Sequence, residues 1–484
     1  MVIAIAQTGC DSTRRNPEYC GGDGVCIDPA LPFCDVDGSR GPAHTEDTCI
    51  AVTCTPGEFI ACRGAETLSC NSIGDNLNVE TCEKGCTEGS ASCTTCTPGE
   101  SRCRDSLLEM CASNGVFVAV ETCQLSCVDE PNDVPHCTRL EPKYLPDVCE
   151  TPAVQASTTF QTSVFDTSAD TNCTGGIATQ NIGPSICIVR SESISIGNGV
   201  DLTVVGTRAL ALVGDSRVDV AGILRGNAAG TTNGPGGGIG TSGKGGEVVQ
   251  ASGAAGGAGF ATRGGPGGTT NVNGGAANGG PPPSNPALFT TLIGGAKGGG
   301  LSGSDFTGGG GGGALMLVAC RGTVTVSGTF ESNGGGAAPA TRTSVGGSFV
   351  ASPGFGGGSG GYLVLQGLNI SITGMLFANG GGGGAGNSNP LIGAMANPGT
   401  DGSSVGGLGG SPTGFNGAGG AGGSEGTPPS AGAAPTSTQL GLTPGGGGGS
   451  VGFLQTYTPA GVTPTLTPSA QSPMLQPNLI AKTR

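Results

Sequence analysis

Cysteines and carboxylates carry most of the chemistry this chain could do. Of 484 residues, 21 are Cys, 35 are Asp or Glu and only 2 are His. Cys93-Thr-Thr-Cys96 has the Cys-x-x-Cys spacing of zinc knuckles and redox centres. A zinc site wants a second such pair at regular spacing, and a redox motif wants a βαβ setting; neither is present. At this Cys density, structural disulfides are the expectation instead. From residue 190 onward the carboxylates are Glu192, Asp201, Asp215, Asp219, Glu247, Asp305, Glu331, Asp401 and Glu425. Glycan-cleaving enzymes cluster such groups as acids and bases, yet here only Asp215 and Asp219 are near neighbours. His44 and His136 both lie in the front of the chain, so the rear cannot assemble a Ser-His-Asp arrangement.

Three short motifs suggest ligands and fall short of the chemistry. Gly238-x-x-x-x-Gly243-Lys244 matches most of a phosphate-binding loop, but Gly245 stands where Ser or Thr should hold Mg²⁺. Gly197-Asn-Gly199-Val-Asp201 resembles one partial calcium-binding nonapeptide, whose sites need tandem copies. Asp35-Val-Asp37-Gly38 begins like an EF-hand loop and lacks the third ligand and the closing Glu. No cofactor and no metal site is therefore expected.

The cysteines form a duplicated framework. Cys54-Thr-Pro-Gly-Glu is followed by Cys62, Cys70, Cys82, Cys86 and Cys93; Cys96-Thr-Pro-Gly-Glu is followed by Cys103, Cys111, Cys123, Cys127 and Cys137. The steps are 8, 8, 12, 4, 7 and 7, 8, 12, 4, 10, and Glu-Thr-Cys precedes the Cys-x-x-x-Cys in both copies. A unit of about forty residues cannot bury enough apolar surface to fold unaided, so staples replace the core. The expectation is two modules, 54–93 and 96–137, each closed by three internal disulfides, with 15 pairings open to six Cys.

These modules sit on a chain of two contrasting halves. Residues 1–189 hold 26 acids and 9 bases, whereas residues 190–484 hold 9 acids and 11 bases. Of 99 Gly, 76 lie between Gly226 and Gly449. Gly and Pro are the poorest helix formers, which excludes a helical bundle. The formal net charge of −15 excludes a basic nucleic-acid-binding surface. No apolar run reaches the length of a membrane span.

The rear half carries apolar alternation in islands between Gly-rich stretches. Three align without a gap: Val218-Asp-Val220-Ala-Gly222-Ile-Leu224 to Asn227, Val324-Thr-Val326-Ser-Gly328-Thr-Phe330 to Asn333, and Ile370-Ser-Ile372-Thr-Gly374-Met-Leu376 to Asn379. Residues at offsets 0, 2 and 6 share a face, and Gly at offset 4 leaves room for a bend. The repeat predicts rungs of a parallel β-solenoid, with Asn227, Asn333 and Asn379 stacked in an amide ladder. The fold class expected is mainly β: disulfide-rich small modules, then a parallel β-solenoid (β-helix) with long Gly-rich insertions near 226–312, 334–361 and 380–450. The organisation is 1–9 leader remnant, 10–53 Cys-rich leader, 54–93 and 96–137 repeats, 138–189 connector and 190–484 solenoid. The insertions lack collagen's strict third-residue Gly; disorder and packed polyglycine-type strands both fit them. Because loop-length costs grow slowly, shortening 380–450 is expected to leave the fold intact.

Cys10 is the cysteine left over once the others are grouped in fours and sixes. Ala6-Gln7-Thr8-Gly9-Cys10, after an apolar opening, resembles the end of a bacterial lipoprotein signal, in which the Cys carries lipid. Gln7 departs from the aliphatic residue usual there, and no basic n-region precedes it. A free or intermolecular Cys is the alternative. The Cys-x-Pro-Gly repeats and the strings Gly308 to Gly313 and Gly445 to Gly449 resemble myxobacterial cell-surface lipoproteins. In those, a Cys-rich front precedes a Gly-rich β-solenoid. Gly417 to Gly423 is similar to mycobacterial PGRS tracts, without their N-terminal PE helices. The resemblance implies an extracellular or outer-surface, non-catalytic structural or adhesion protein, and supplies no catalytic residue. Its partners would be glycans, envelope components or copies of itself, with a membrane reached only through a lipid anchor. The alternatives are a polysaccharide-processing β-helix enzyme and a self-assembling fibre subunit.

Overall fold

The computed structural model describes the chain apart from residues 1–17, 21–24, 32, 36–44, 52–53, 56, 64, 72–76, 87–92, 124, 130–133, 151–152, 154, 239–242, 248–252, 271–274, 283–289, 303–307, 341–342, 346–347, 351, 388–395 and 439–440. Cys10 lies outside the described residues. Among those described there is no α-helix, and no helix long and apolar enough to cross a membrane. The chain divides into two compact units, Met1–Cys137 and Thr138–Arg484.

In the front unit each Cys repeat folds as a three-stranded antiparallel sheet. The first uses β1 (Phe59–Arg63), β2 (Glu66–Cys70) and β3 (Leu77–Thr81). The second uses β4 (Ser101–Arg104), β5 (Leu107–Cys111) and β6 (Phe117–Thr122). The bridges are Cys54–Cys70, Cys62–Cys86 and Cys82–Cys93, then Cys96–Cys111, Cys103–Cys127 and Cys123–Cys137. Both repeats thus use one pattern, first to third, second to fifth, fourth to sixth. Apolar burial is scant: Val79, Val118 and Val120 are each about half exposed.

The rear unit begins with a short strand β7 (Leu140–Glu141), and most of its remaining strands belong to two parallel sheets. The larger sheet runs β8 (Ser157–Phe160), β10 (Ile186–Ile196), β12 (Ala209–Val220), β14 (Ala314–Val326), β16 (Tyr362–Ile372), β18 (Phe453–Thr458) and β20 (Leu479–Ile480). The smaller runs β9 (Ser163–Asp166), β11 (Asp201–Val205), β13 (Ile223–Arg225), β15 (Thr329–Glu331), β17 (Met375–Phe377) and β19 (Ala470–Ser472). The strands named here alternate between the two sheets in chain order; Gly176–Ala178 and Thr465–Leu466 add short pairings to the larger one. The register pairs Ile196, Val220, Val326 and Ile372 in one column, and Leu224, Phe330 and Leu376 in another. All of these are buried in one apolar core between the sheets, whereas Ser327 and Thr373 are exposed. The bend between sheets stacks Gly222, Gly328 and Gly374. A Cβ on Gly328 would lie 1.9 Å from the Gly222 carbonyl oxygen, and one on Gly374 2.0 Å from that of Gly328.

The described parts of the Gly-rich insertions are packed, which corrects the expectation that 380–450 could be shortened freely. Their backbone hydrogen bonds repeat every three residues. In 354–361, Gly354, Gly357 and Gly360 donate to Pro444, Gly447 and Ser450; Gly356 and Ser359 donate to Gly299 and Ala296; Gly358 and Gly361 donate to Gly335 and Ser332. In 445–450, Gly445 and Gly448 reach Ala433 and Ser430, Gly446 and Gly449 reach Gly384 and Gly381, and Gly447 and Ser450 reach Ala255 and Ala258. Three residues per turn with no bonds inside the segment is the habit of polyproline-type helices. Because each segment is pressed by neighbours on every side, Gly is needed at nearly every position rather than at every third. A Cβ on Gly358 would sit 1.9 Å from the Gly310 oxygen, and one on Gly446 1.9 Å from the Phe355 oxygen. Residues 380–386 bond to three other segments at once, ending at Gly423, Gly358 and Thr400 among others. Removing them would leave buried N–H and C=O groups unpaired on all three.

The outer face of the larger sheet holds a second apolar core, covered by residues 140–149. Cys149–Cys320 ties this strap to β14 across 171 residues. β7 of the strap pairs with β21 (Lys482–Thr483) near the C-terminus.

Candidate functional site

Among the described residues all twenty cysteines are joined in ten disulfides. In the leader they are Cys20–Cys34 and Cys26–Cys49, and in the rear unit Cys149–Cys320 and Cys173–Cys187. Cys93 and Cys96 bond in different repeats, to Cys82 and Cys111, so the Cys-x-x-Cys acts as a join. Among the described residues, the groups that could gather around a metal are drawn from Cys20, Cys26, Cys34, Cys49 and Asp47. Their sulfurs are already spent on the two leader disulfides.

The three asparagines stand at the ends of successive rungs, where the smaller sheet passes into the Gly lattice. Asn333 N–H donates to Asn227 Oδ1 at 2.7 Å, and Asn379 N–H to Asn333 Oδ1 at 2.8 Å. The ladder therefore runs from backbone to side chain, which differs from amide stacked on amide. Asn227 and Asn333 each donate an Nδ2 hydrogen to Glu331, at 3.1 and 3.2 Å. Glu331 in turn faces Arg225 at 3.2 Å, and Arg225 binds Asp201 through two bonds of 2.9 and 2.8 Å. Asp201, the acidic residue of the partial nonapeptide, is thus held by a guanidinium. In the phosphate-loop match, residues 239–242 lie outside the described ones, and at its two ends Gly238 donates to Gly295 and Gly245 to Lys297. Asp35 is a buried strand residue, and residues 36–44 lie outside the described ones.

Asp215 and Asp219 have different settings. Asp215 is 1% exposed at a bulge of β12, pairs with Arg190 at 2.6 Å and Arg321 at 3.6 Å, and accepts the Ala153 N–H at 2.6 Å. Arg321 also faces Glu192 at 3.7 Å. Asp219 is partly exposed and faces Arg217 at 3.4 Å. The Asp215 carboxylate, flanked by two guanidiniums, holds the backbone at Ala153 just after the strap. No spacing in the sequence showed a further fastening of the strap, in which Tyr144 meets the Tyr362 and Tyr457 hydroxyls at 2.9 and 3.2 Å. Burial pushes the Tyr144 and Tyr362 phenols far above their ordinary range.

One open groove of about 540 Å³ lies beside the lattice. Val451, Phe453 and Pro473 form its buried floor, while Thr262, Glu425, Thr427 and Met474 stand exposed on its rim. No protein-family model, characterised protein or solved structure matches the chain.

Proposed function

We propose that the chain is a non-catalytic structural or adhesion protein of the extracellular space or outer cell surface. Its rear unit is read as a solenoid-like stack of rungs stiffened by the polyglycine lattice, carrying an acidic stapled head. Ten disulfides among the described residues support an oxidising, extracellular setting. The observation that carries the reading is the lattice: a part of the chain with almost no functional side chains is closely packed through its backbone. Acylation of Cys10 would attach it to a membrane, as in the lipoproteins it resembles.

The fibre reading draws support from the parallel sheet edges. Against it, the strands at the C-terminal edge are two or three residues long and separated by Pro468, Pro473 and Pro477, devices that blunt an edge. The test is to incubate purified protein with a polysaccharide panel and with envelope preparations. Retention on envelope material without turnover is expected. Turnover abolished by Asp215→Ala or Asp219→Ala would replace this reading with the enzyme.

A further inference from the structure

Between Asp401 and Lys482 the chain carries a single charged side chain, Glu425. It stands on the rim of the groove, and among the described residues no cation forms an ion pair with it. A solitary carboxylate in so neutral a stretch is not needed for a surface network.

The groove is built from four segments, each fixed by its own bonds. Glu425 N–H donates to Ser472 Oγ at 2.6 Å. Ser424 and Thr427 exchange backbone bonds of 2.9 and 3.0 Å, closing the turn that presents Glu425. Ala261 N–H binds the Val451 carbonyl at 3.0 Å, and Gln476 N–H the Leu454 carbonyl at 2.9 Å. Beneath them, Phe453 packs edge-on against Phe260 at 5.1 Å between centroids. The lining is therefore held in place before any ligand arrives, and its volume is in the range of small-molecule sites.

The chemistry of the lining selects the ligand. Thr262, Thr427 and Gln476 are neutral groups that both donate and accept, which suits a partner rich in hydroxyls. The Val451–Phe453–Pro473 floor suits the apolar face of a ring. Glu425 only accepts, and it complements one positive charge. We propose that this groove binds a glycan through a hexosamine bearing a free ammonium, with Glu425 as its counter-charge. This rests on the adhesion reading and names its ligand class.

The test is calorimetric titration of the full chain with a chitosan oligomer at mildly acid pH. Its N-acetylated counterpart and an oligolysine are run in parallel. The chitosan oligomer should bind, with an affinity that falls as salt rises. Glu425→Gln, at an exposed site, should weaken it about tenfold or more. Gln476→Ala should lower affinity while leaving the salt dependence unchanged. The N-acetylated oligomer should bind less well and be indifferent to Glu425→Gln. Equal binding by Glu425→Gln and the unaltered protein would overturn the proposal. Oligolysine binding of equal strength and equal Glu425 dependence would do so too, because the site would then read an amine and not a sugar. Envelope retention unchanged in Glu425→Gln would refute the groove as the contact and leave the adhesion reading standing. Loss of retention by the unaltered protein would refute that reading itself.

Discussion

In the front unit, two repeats of about forty residues each carry three disulfides around a small sheet, and several Val side chains on those sheets remain half exposed. The rear unit spends two disulfides on residues 138–484 and buries its backbone instead. Neither region has the side-chain supply of an ordinary domain, since the chain is 4% aromatic and contains no Trp. The front limits the unfolded chain by cross-links, each worth roughly 2–4 kcal/mol. The rear pairs the amides of its Gly segments with neighbouring segments and brings backbones closer than any side chain would permit. Stability without a large apolar core can come from either covalent closure or backbone packing, and this molecule uses one in each half.

The largest expected effect lies where the rear unit does have a side-chain core. Val326→Asp buries a carboxylate with no partner and should cost about 3–5 kcal/mol. Ser327→Asp, one residue on and exposed, should stay within about 0.5 kcal/mol. Thermal melts of the two variants check this, and equal tolerance would deny the inward column.

Next comes the lattice. Gly358→Ala places a methyl 1.9 Å from a carbonyl oxygen and should destabilise by about 1–3 kcal/mol or more, as overpacking does. Gly275→Ala, where nothing lies within 4 Å, should be neutral or gain up to about 1 kcal/mol by stiffening the unfolded chain. Denaturant titration separates the two. If both variants behave alike, the close packing assigned to the lattice is wrong.

A smaller, pH-dependent effect belongs to the strap. Burial raises the Tyr144 and Tyr362 phenols in the folded state. Their contribution should therefore be complete below the ordinary phenol value of about 10 and decline as pH rises above it. Stability measured across that range should fall on the alkaline side. Tyr144→Phe together with Tyr362→Phe should flatten that fall, and an unchanged slope would remove the triad from the account.

Much of the side-chain core was legible. Val218, Val324 and Ile370 lie in matching register near the ends of three strands, and they show because a period of two survives in sequence wherever one face is buried. The duplicated Cys steps likewise marked two equivalent units. The lattice was harder to read, since Gly has no side chain to show a period, and bonds such as Gly447 N–H to the Ala255 carbonyl join positions far apart in the chain. A trace does survive at its surface. Val405-Gly-Gly-Leu408-Gly-Gly-Ser411 and Ala418-Gly-Gly-Ala421-Gly-Gly-Ser424 repeat every three residues, and Val405 and Leu408 are 58% and 68% exposed. On an outer segment of a three-fold screw, two positions face neighbours and must be Gly, while the third faces water. Asp215 was visible as a carboxylate, but its guanidinium partners come from two other strands, so its anchoring role depends on strand order that no local pattern encodes.

The most direct test of the division between the halves is amide hydrogen exchange on the full chain, before and after reduction of its disulfides. Backbone amides of Gly354–Gly361 and Gly445–Ser450 should be protected to the same degree as those of β14, and should remain protected after reduction. Amides of β1–β6 should lose protection when their bridges open. Exchange of the Gly segments at the rate of an unstructured chain, in the oxidised protein, would contradict the lattice and with it the claim that backbone packing holds the rear unit together.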